Sequence, residues 1–257
     1  MRCVGIIPVR MAASRFPGKP LVRILGLTML EHVYRRSRLC QALDEVIVAT
    51  CDEAIRQAAL AFGASVVMTS DRHERAMERV AEAATTIEAD LVVLIQGDEP
   101  LVHPPMLEEL IAPLLAEEAV QCTNLMLAVD EADARDPDQI KVACDLAGNA
   151  LYMSREPLPT MRRGAAGPRW RQIGLIAFRK PFLLKLVSLP PTPLERAESV
   201  DMLRAIEHGC AVRMVPTRYV TYPVDEPDDV ARVETLLQDD PWLAAYAPQA
   251  GSPSGGR

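Results

Sequence analysis

The chain has 257 residues, 49% of them hydrophobic, and a formal net charge of −7. That is enough apolar material for one large α/β core, and the acidic balance argues against a nucleic-acid partner. No apolar run is long enough to span a bilayer, the N-terminus enters a strand with no signal-peptide pattern, and the six cysteines are scattered like reduced thiols. A cytoplasmic protein with no membrane partner is therefore expected.

In chain order, Cys3–Val9 reads as a buried strand that runs into a loop, RMAASRFPGKP, carrying Arg10, Arg15, Gly18 and Lys19. Met29–Gln41 reads as a helix, Glu45–Thr50 as a strand, and Asp52–Phe62 as a helix capped by Gly63. Strand Ser65–Met68 and helix His73–Ile87 follow, then Leu91–Gln96, nearly all apolar as in a central strand covered on both faces. Helix Pro105–Glu118 precedes three strand candidates, Gln121–Val129, Ile140–Cys144 and Ile173–Phe178. Helix Leu194–His208, strand Ala211–Pro216 and helix Pro227–Gln238 complete the pattern. Pro227 suits a first helical turn, with Asp228 and Asp229 near the positive end of the dipole. Pro157–Arg171 reads as a mobile loop, and the low-complexity end of the chain as disordered. The alternation predicts an α/β fold with a mostly parallel sheet flanked by helices, spanning residues 1–240, with a tail over 241–257.

The first loop puts three cations and a glycine at the carboxyl end of the first strand, where open α/β sheets bind ligands. Guanidinium groups grip phosphate oxygens through paired N–H donors and lysine adds a point charge; the plainer reading is a solvated basic loop. QGDEP, Gln96–Pro100, sets Asp98 and Glu99 on the same rim. A carboxylate facing a phosphate-binding loop calls for a cation between them, and Mg2+ takes one or two carboxylates plus phosphate oxygens. The alternative for Asp98 is a turn or cap residue. PVDEPDD, Pro223–Asp229, offers Asp225 as the second carboxylate of such a site, or as an ordinary N-cap.

These motifs, with VIVATCDE, MTSDRHERAMERVAE, IKVACD, ALYMSREPLP, RQIGLIAFR, PLERAE and MLR, resemble the CMP-KDO synthetase family, the 3-deoxy-manno-octulosonate cytidylyltransferases, from Val4 to about Leu236. The resemblance implies a Rossmann-like nucleotidyltransferase sheet with a smaller lobe, roughly residues 130–190, that dimerises and contacts the acceptor. It implies transfer of CMP from CTP to an anionic acceptor with release of pyrophosphate. Arg10, Arg15 and Lys19 match triphosphate-binding residues, and Asp98 and Asp225 match Mg2+-binding acids, making Lys19, Asp98 and Asp225 the catalytic set. Arg75, Gln96, Arg155, Gln172 and Glu195 fall in stretches expected to contact substrate.

The departures point to the acceptor. Where the family has H-x-S-G-T-E-R, this chain has Arg75, Ala76 and Met77 inside His73–Arg79. Gln172 replaces a histidine, and Asp201 and Met202 replace Glu-Gln. Methionine cannot make glutamine's hydrogen bonds to a polyhydroxylated substrate. A small phosphonate such as phosphonoformate is therefore the expected acceptor, with Arg75, Arg155, Arg162, Arg163 and Arg171 as candidate cations. The octulosonic acid is the alternative, followed by a sugar-1-phosphate nucleotidylyltransferase and a non-catalytic CTP-binding paralogue.

Overall fold

The computed structural model describes residues 1–12, 16–161 and 167–247. Arg15, Arg162 and Arg163, and the tail beyond 247, lie outside the described residues.

Strand β1 (Cys3–Val9) is buried along its whole length. It pairs in parallel with β4 (Glu45–Thr50) on one edge and β6 (Leu91–Leu94) on the other. The sheet extends outward from β4 to β5 (Ser65–Met68). Beyond β6 come β10 (Arg169–Arg179), β7 (Cys122–Val129) and β11 (Arg213–Thr217), giving the order β11-β7-β10-β6-β1-β4-β5. Only β10 runs against this series, antiparallel to both β6 and β7. The expected mostly parallel α/β sheet is thus present, with one reversed strand near its centre.

Apolar faces decide where the helices lie. Helices α1 (Met29–Ser37), α2 (Glu53–Ala61) and α4 (Pro104–Ala116) bury Leu30, Ile55 and Leu107 on one face of the sheet. Helices α3 (Ala76–Thr85), α6 (Lys180–Ser188) and α8 (Met202–Glu207) bury Val80, Leu183 and Leu203 on the other. A third apolar cluster, including Ile24, Met29, Val224 and Val233, seats α9 (Pro227–Gln238) against the first loop. That cluster brings the C-terminal segment back to the rim. Among the described residues no helix is long and apolar enough to cross a membrane, and all six cysteines are free thiols.

Several expectations are corrected. Ile173–Phe178 is not a lobe strand awaiting a partner but the middle of β10, whose residues Ile176–Phe178 pair with β6 on one edge and β7 on the other. The side arm is instead the hairpin of β8 (Lys141–Cys144) and β9 (Ala150–Ser154), attached through β8 to β10. The expected helix Leu194–His208 is two helices, α7 (Pro193–Glu198) and α8, broken at Ser199, which turns left-handed at φ 54°. Residues 241–247 are not a tail: α10 (Leu243–Tyr246) buries Tyr246, whose hydroxyl lies 2.7 Å from His32 Nδ1.

Candidate active site

β1 and β6 are adjacent and parallel, so the loops after them open on one rim. Gly18, at φ 76°, starts the short 3₁₀ turn Lys19–Leu21 in a conformation that L side chains disfavour, and so aims Lys19 inward. Gly97 lets the turn after β6 lie directly on β1, since a Cβ there would meet Val9 Cγ1 at 2.2 Å. Across the rim, the Val224 N–H donates to the Asp98 carbonyl at 2.9 Å and stitches the two acidic segments together.

At the junction, Lys19 Nζ donates to Asp98 Oδ2 at 2.7 Å, to the Val224 carbonyl at 3.0 Å and to Asp225 Oδ1 at 3.2 Å. Burial works against its charge, but Asp98 and Asp225 outweigh that and hold the ammonium above its ordinary pKa. The N-cap of α9 is Glu226, in a capping box with Asp229, so Asp225 is released from the capping role open to it and faces the lysine.

The two carboxylates therefore converge on one cation. A divalent metal fits this donor set, because the lysine ammonium already stands where both acids reach a shared positive charge. Among the described residues no group of three or more His, Cys, Asp or Glu side chains could hold a metal. Two carboxylates with the remaining positions left to phosphate oxygens and water is the habit of Mg2+.

Two cavities flank the pair. One, of about 250 Å3, is lined by Arg10, Lys19, Gln96 and Asp98. The other, of about 750 Å3, is lined by Glu99, Arg171, Gln172 and Thr221. Asp225 lines both. Arg10 is exposed on the smaller one and also reaches the His73 carbonyl at 3.3 Å. In the larger one Gln172 donates to Asn124 Oδ1 at 2.6 Å. Burial, with Asp98 next, pushes the Glu99 carboxyl up to about 7.

Three expected substrate contacts line neither cavity and are already engaged. Arg75 is paired with Asp201 and lies 3.9 Å from Glu195, so it is not a spare cation for a phosphonate. Arg155 donates to the carbonyls of Pro137 at 2.9 Å and Glu198 at 3.0 Å. Glu195 is fully buried, receives both Arg204 nitrogens at 2.8 and 2.6 Å, and closes the capping box on Thr192. Glu195→Gln should accordingly cost stability, about 3–5 kcal/mol by the usual penalty for breaking a buried ion pair. Denaturant unfolding should show that loss, while KM for both substrates in the folded enzyme stays near wild type. A selective rise in acceptor KM at unchanged stability would put Glu195 in the substrate site after all.

Glu99 and Thr221 are lining residues that sequence reasoning did not single out for substrate. For Glu99 the signal was its place beside Asp98; for Thr221 there was none.

A parallel sheet whose strand ends present Arg10, Lys19 and two cation-sharing carboxylates on one rim is the arrangement expected of a nucleotidyltransferase. The comparisons agree. The cytidylyltransferase family model matches residues 4–214. The 3-deoxy-manno-octulosonate cytidylyltransferase of Nitratidesulfovibrio vulgaris (strain Hildenborough) is 44% identical, over 93% of this chain and 97% of its own. That of Myxococcus xanthus is 45% identical over 92% and 97%. A solved CMP:2-keto-3-deoxy-manno-octonic acid synthetase complexed with CTP superimposes with a TM-score of 0.89 at 34% identity, covering 93% of this chain and 99% of that one. The chain belongs to the CMP-KDO synthetase family of cytidylyltransferases, and it is an enzyme that uses CTP. The relatives back the octulosonate alternative better than the phosphonate expectation.

Proposed function

We propose that this cytidylyltransferase transfers CMP from CTP to a hydroxyl of 3-deoxy-manno-octulosonate (KDO), with Mg2+ as its cation and pyrophosphate as the second product. The observation that carries the reading is the convergence of Asp98 and Asp225 on one cation between two cavities. Arg10 and Lys19 on the smaller cavity suit a triphosphate, and Arg15, from the same loop, would join them. The acceptor then belongs in the larger cavity, on the other side of the carboxylates, because displacement at phosphorus brings nucleophile and leaving group in from opposite sides.

The charge of the larger cavity supports a sugar acid over a phosphonate. Among the described residues seven carboxylates line it against two guanidinium groups, Arg171 and Arg232. Such a wall repels a compact multiply charged anion but tolerates one carboxylate carried on a polyhydroxylated chain. The Met202 substitution loses its force here, since Met202 is fully buried in the core between α8 and the sheet.

When bound, Mg2+ would neutralise phosphate charge as it develops on the leaving group. Asp98 and Asp225 would hold it. Lys19 would turn from them to the phosphate oxygens, and Arg10 would orient the triphosphate from the rim. The acceptor oxygen bonds to the α-phosphorus as its bond to the pyrophosphate oxygen breaks, the hydroxyl proton passes to solvent, and no covalent enzyme intermediate is needed. A homodimer is proposed through the β8–β9 arm, which exposes Leu146 and Leu151.

The test is kcat/KM for KDO against phosphonoformate at saturating CTP and Mg2+. KDO should be preferred by at least about tenfold, the scale of losing one well-made polar contact. A preference for phosphonoformate would overturn the reading.

A further inference from the structure

Strand β10 is interrupted at the wall of the larger cavity. Gln172 pairs with Met126 of β7 and Ile176 with Asn124, so a step of four residues on β10 meets a step of two on β7. Such a bulge breaks the ladder and re-aims a side chain, and bulges gather next to active sites. Gln172, at the start of this one, lines the cavity.

Asn124 repairs the broken ladder. Its side chain is fully buried, and its amide nitrogen donates to the Ile173 carbonyl at 2.7 Å and to the Leu175 carbonyl at 2.9 Å. Both of its N–H donors are spent there, which fixes the way the amide points. Asn124 Oδ1 can only accept, and it takes a bond from Gln172 Nε2 at 2.6 Å. The Gln172 amide is oriented in turn. Its nitrogen is held by Asn124, and its oxygen, Oε1, is buried with no hydrogen-bond partner among the described residues. The Gln172 backbone is anchored separately, through its N–H to the Ile140 carbonyl at 2.7 Å. Asn124 therefore governs the side chain rather than the course of the strand before the bulge.

An oxygen fixed in this way on the wall of a substrate cavity is ready to accept a bond that the protein does not itself supply. We infer that Asn124 is a positioning residue for the acceptor substrate: it holds the β10 bulge and turns the Gln172 amide so that Oε1 takes a hydrogen bond from a hydroxyl of that substrate. The inference rests on the octulosonate reading of the larger cavity. It adds a residue that touches no substrate and acts through one that does.

The experiment is a double-mutant cycle of Asn124→Ala and Gln172→Leu, read by KM for KDO, KM for CTP and the denaturant midpoint. Gln172→Leu should raise KM for KDO by about threefold to tenfold, the worth of one net hydrogen bond, with KM for CTP within about twofold of wild type. Asn124→Ala should raise KM for KDO by a similar factor, because Oε1 is no longer held in place. In the Gln172→Leu background the same change should leave KM for KDO where it was, since no amide is left to position. The denaturant midpoint should fall in both backgrounds, because the bulge carbonyls lose their donors either way. A merely structural role would raise KM for CTP and KDO together, or raise KM for KDO by the same factor with and without Gln172. Either result overturns the inference. If Asn124→Ala does not fold, NMR of the side-chain amides in the wild-type enzyme decides: a Gln172 amide proton protected from solvent exchange supports the inference, and free exchange overturns it. Wild-type enzyme that binds CTP but ignores KDO overturns the octulosonate reading and this inference with it. KDO turnover with an unchanged KM in Gln172→Leu overturns the inference alone.

Discussion

Asp98→Asn and Asp225→Asn should each lower kcat by roughly 10²–10³-fold or more, the cost of removing one group that stabilises transition-state charge. Asp98 and Asp225 lie 2.7 and 3.2 Å from the same ammonium, so each change removes half of a two-carboxylate cation site. The substitution preserves shape, and both carboxylates are partly exposed at the rim, so the fold should survive. Steady-state pyrophosphate release and circular dichroism on the same samples check both statements. Turnover near the wild-type rate by either folded variant would remove the metal-site reading.

Lys19→Met should act in two directions. The lysine donates to both carboxylates in the structure, and the same carboxylates cannot hold a divalent ion while an ammonium sits between them. Losing the side chain should therefore strengthen Mn2+ binding to the CTP-free enzyme. It should also weaken turnover with CTP by about tenfold to a hundredfold, the worth of a charge-assisted contact of about 1.5–3 kcal/mol. Electron paramagnetic resonance reads the first effect and steady-state kinetics the second. Unchanged CTP constants would make the loop a solvated surface, and unchanged Mn2+ affinity would show that lysine and metal do not compete.

The convergence of Lys19, Asp98 and Asp225 on one rim was legible in the sequence because the segments that carry them are local. The run Val4–Val9 could only be a buried strand, and RMAASRFPGKP, QGDEP and VDEPDD each close on a rim that β1, β6 and the α9 approach create. The fold class followed from alternation. What failed depends on partners distant in sequence. Arg75 looked like a free cation until the fold brought Asp201 to it, and Glu195 looked like a substrate ligand until Arg204 filled it. Apolar periodicity carries no direction, so the reversed course of β10 was invisible. It also runs through a three-residue break, so Ser199–Asp201 did not divide α7 from α8. The helix α10 is too short for a periodic signal and is held by Tyr246 packing on His32. Met202 shows the same limit: a lost polar contact was inferred from residue type, but its burial places it in the core.

In the proposed reaction the α-phosphorus of CTP moves to an octulosonate hydroxyl. Phosphorus NMR of wild-type enzyme with CTP, Mg2+ and KDO tests it most directly. A new phosphodiester resonance should grow in step with pyrophosphate, equal in amount, and neither product should form when KDO is omitted. Pyrophosphate forming at the same rate without KDO, or CDP with orthophosphate in its place, would contradict it.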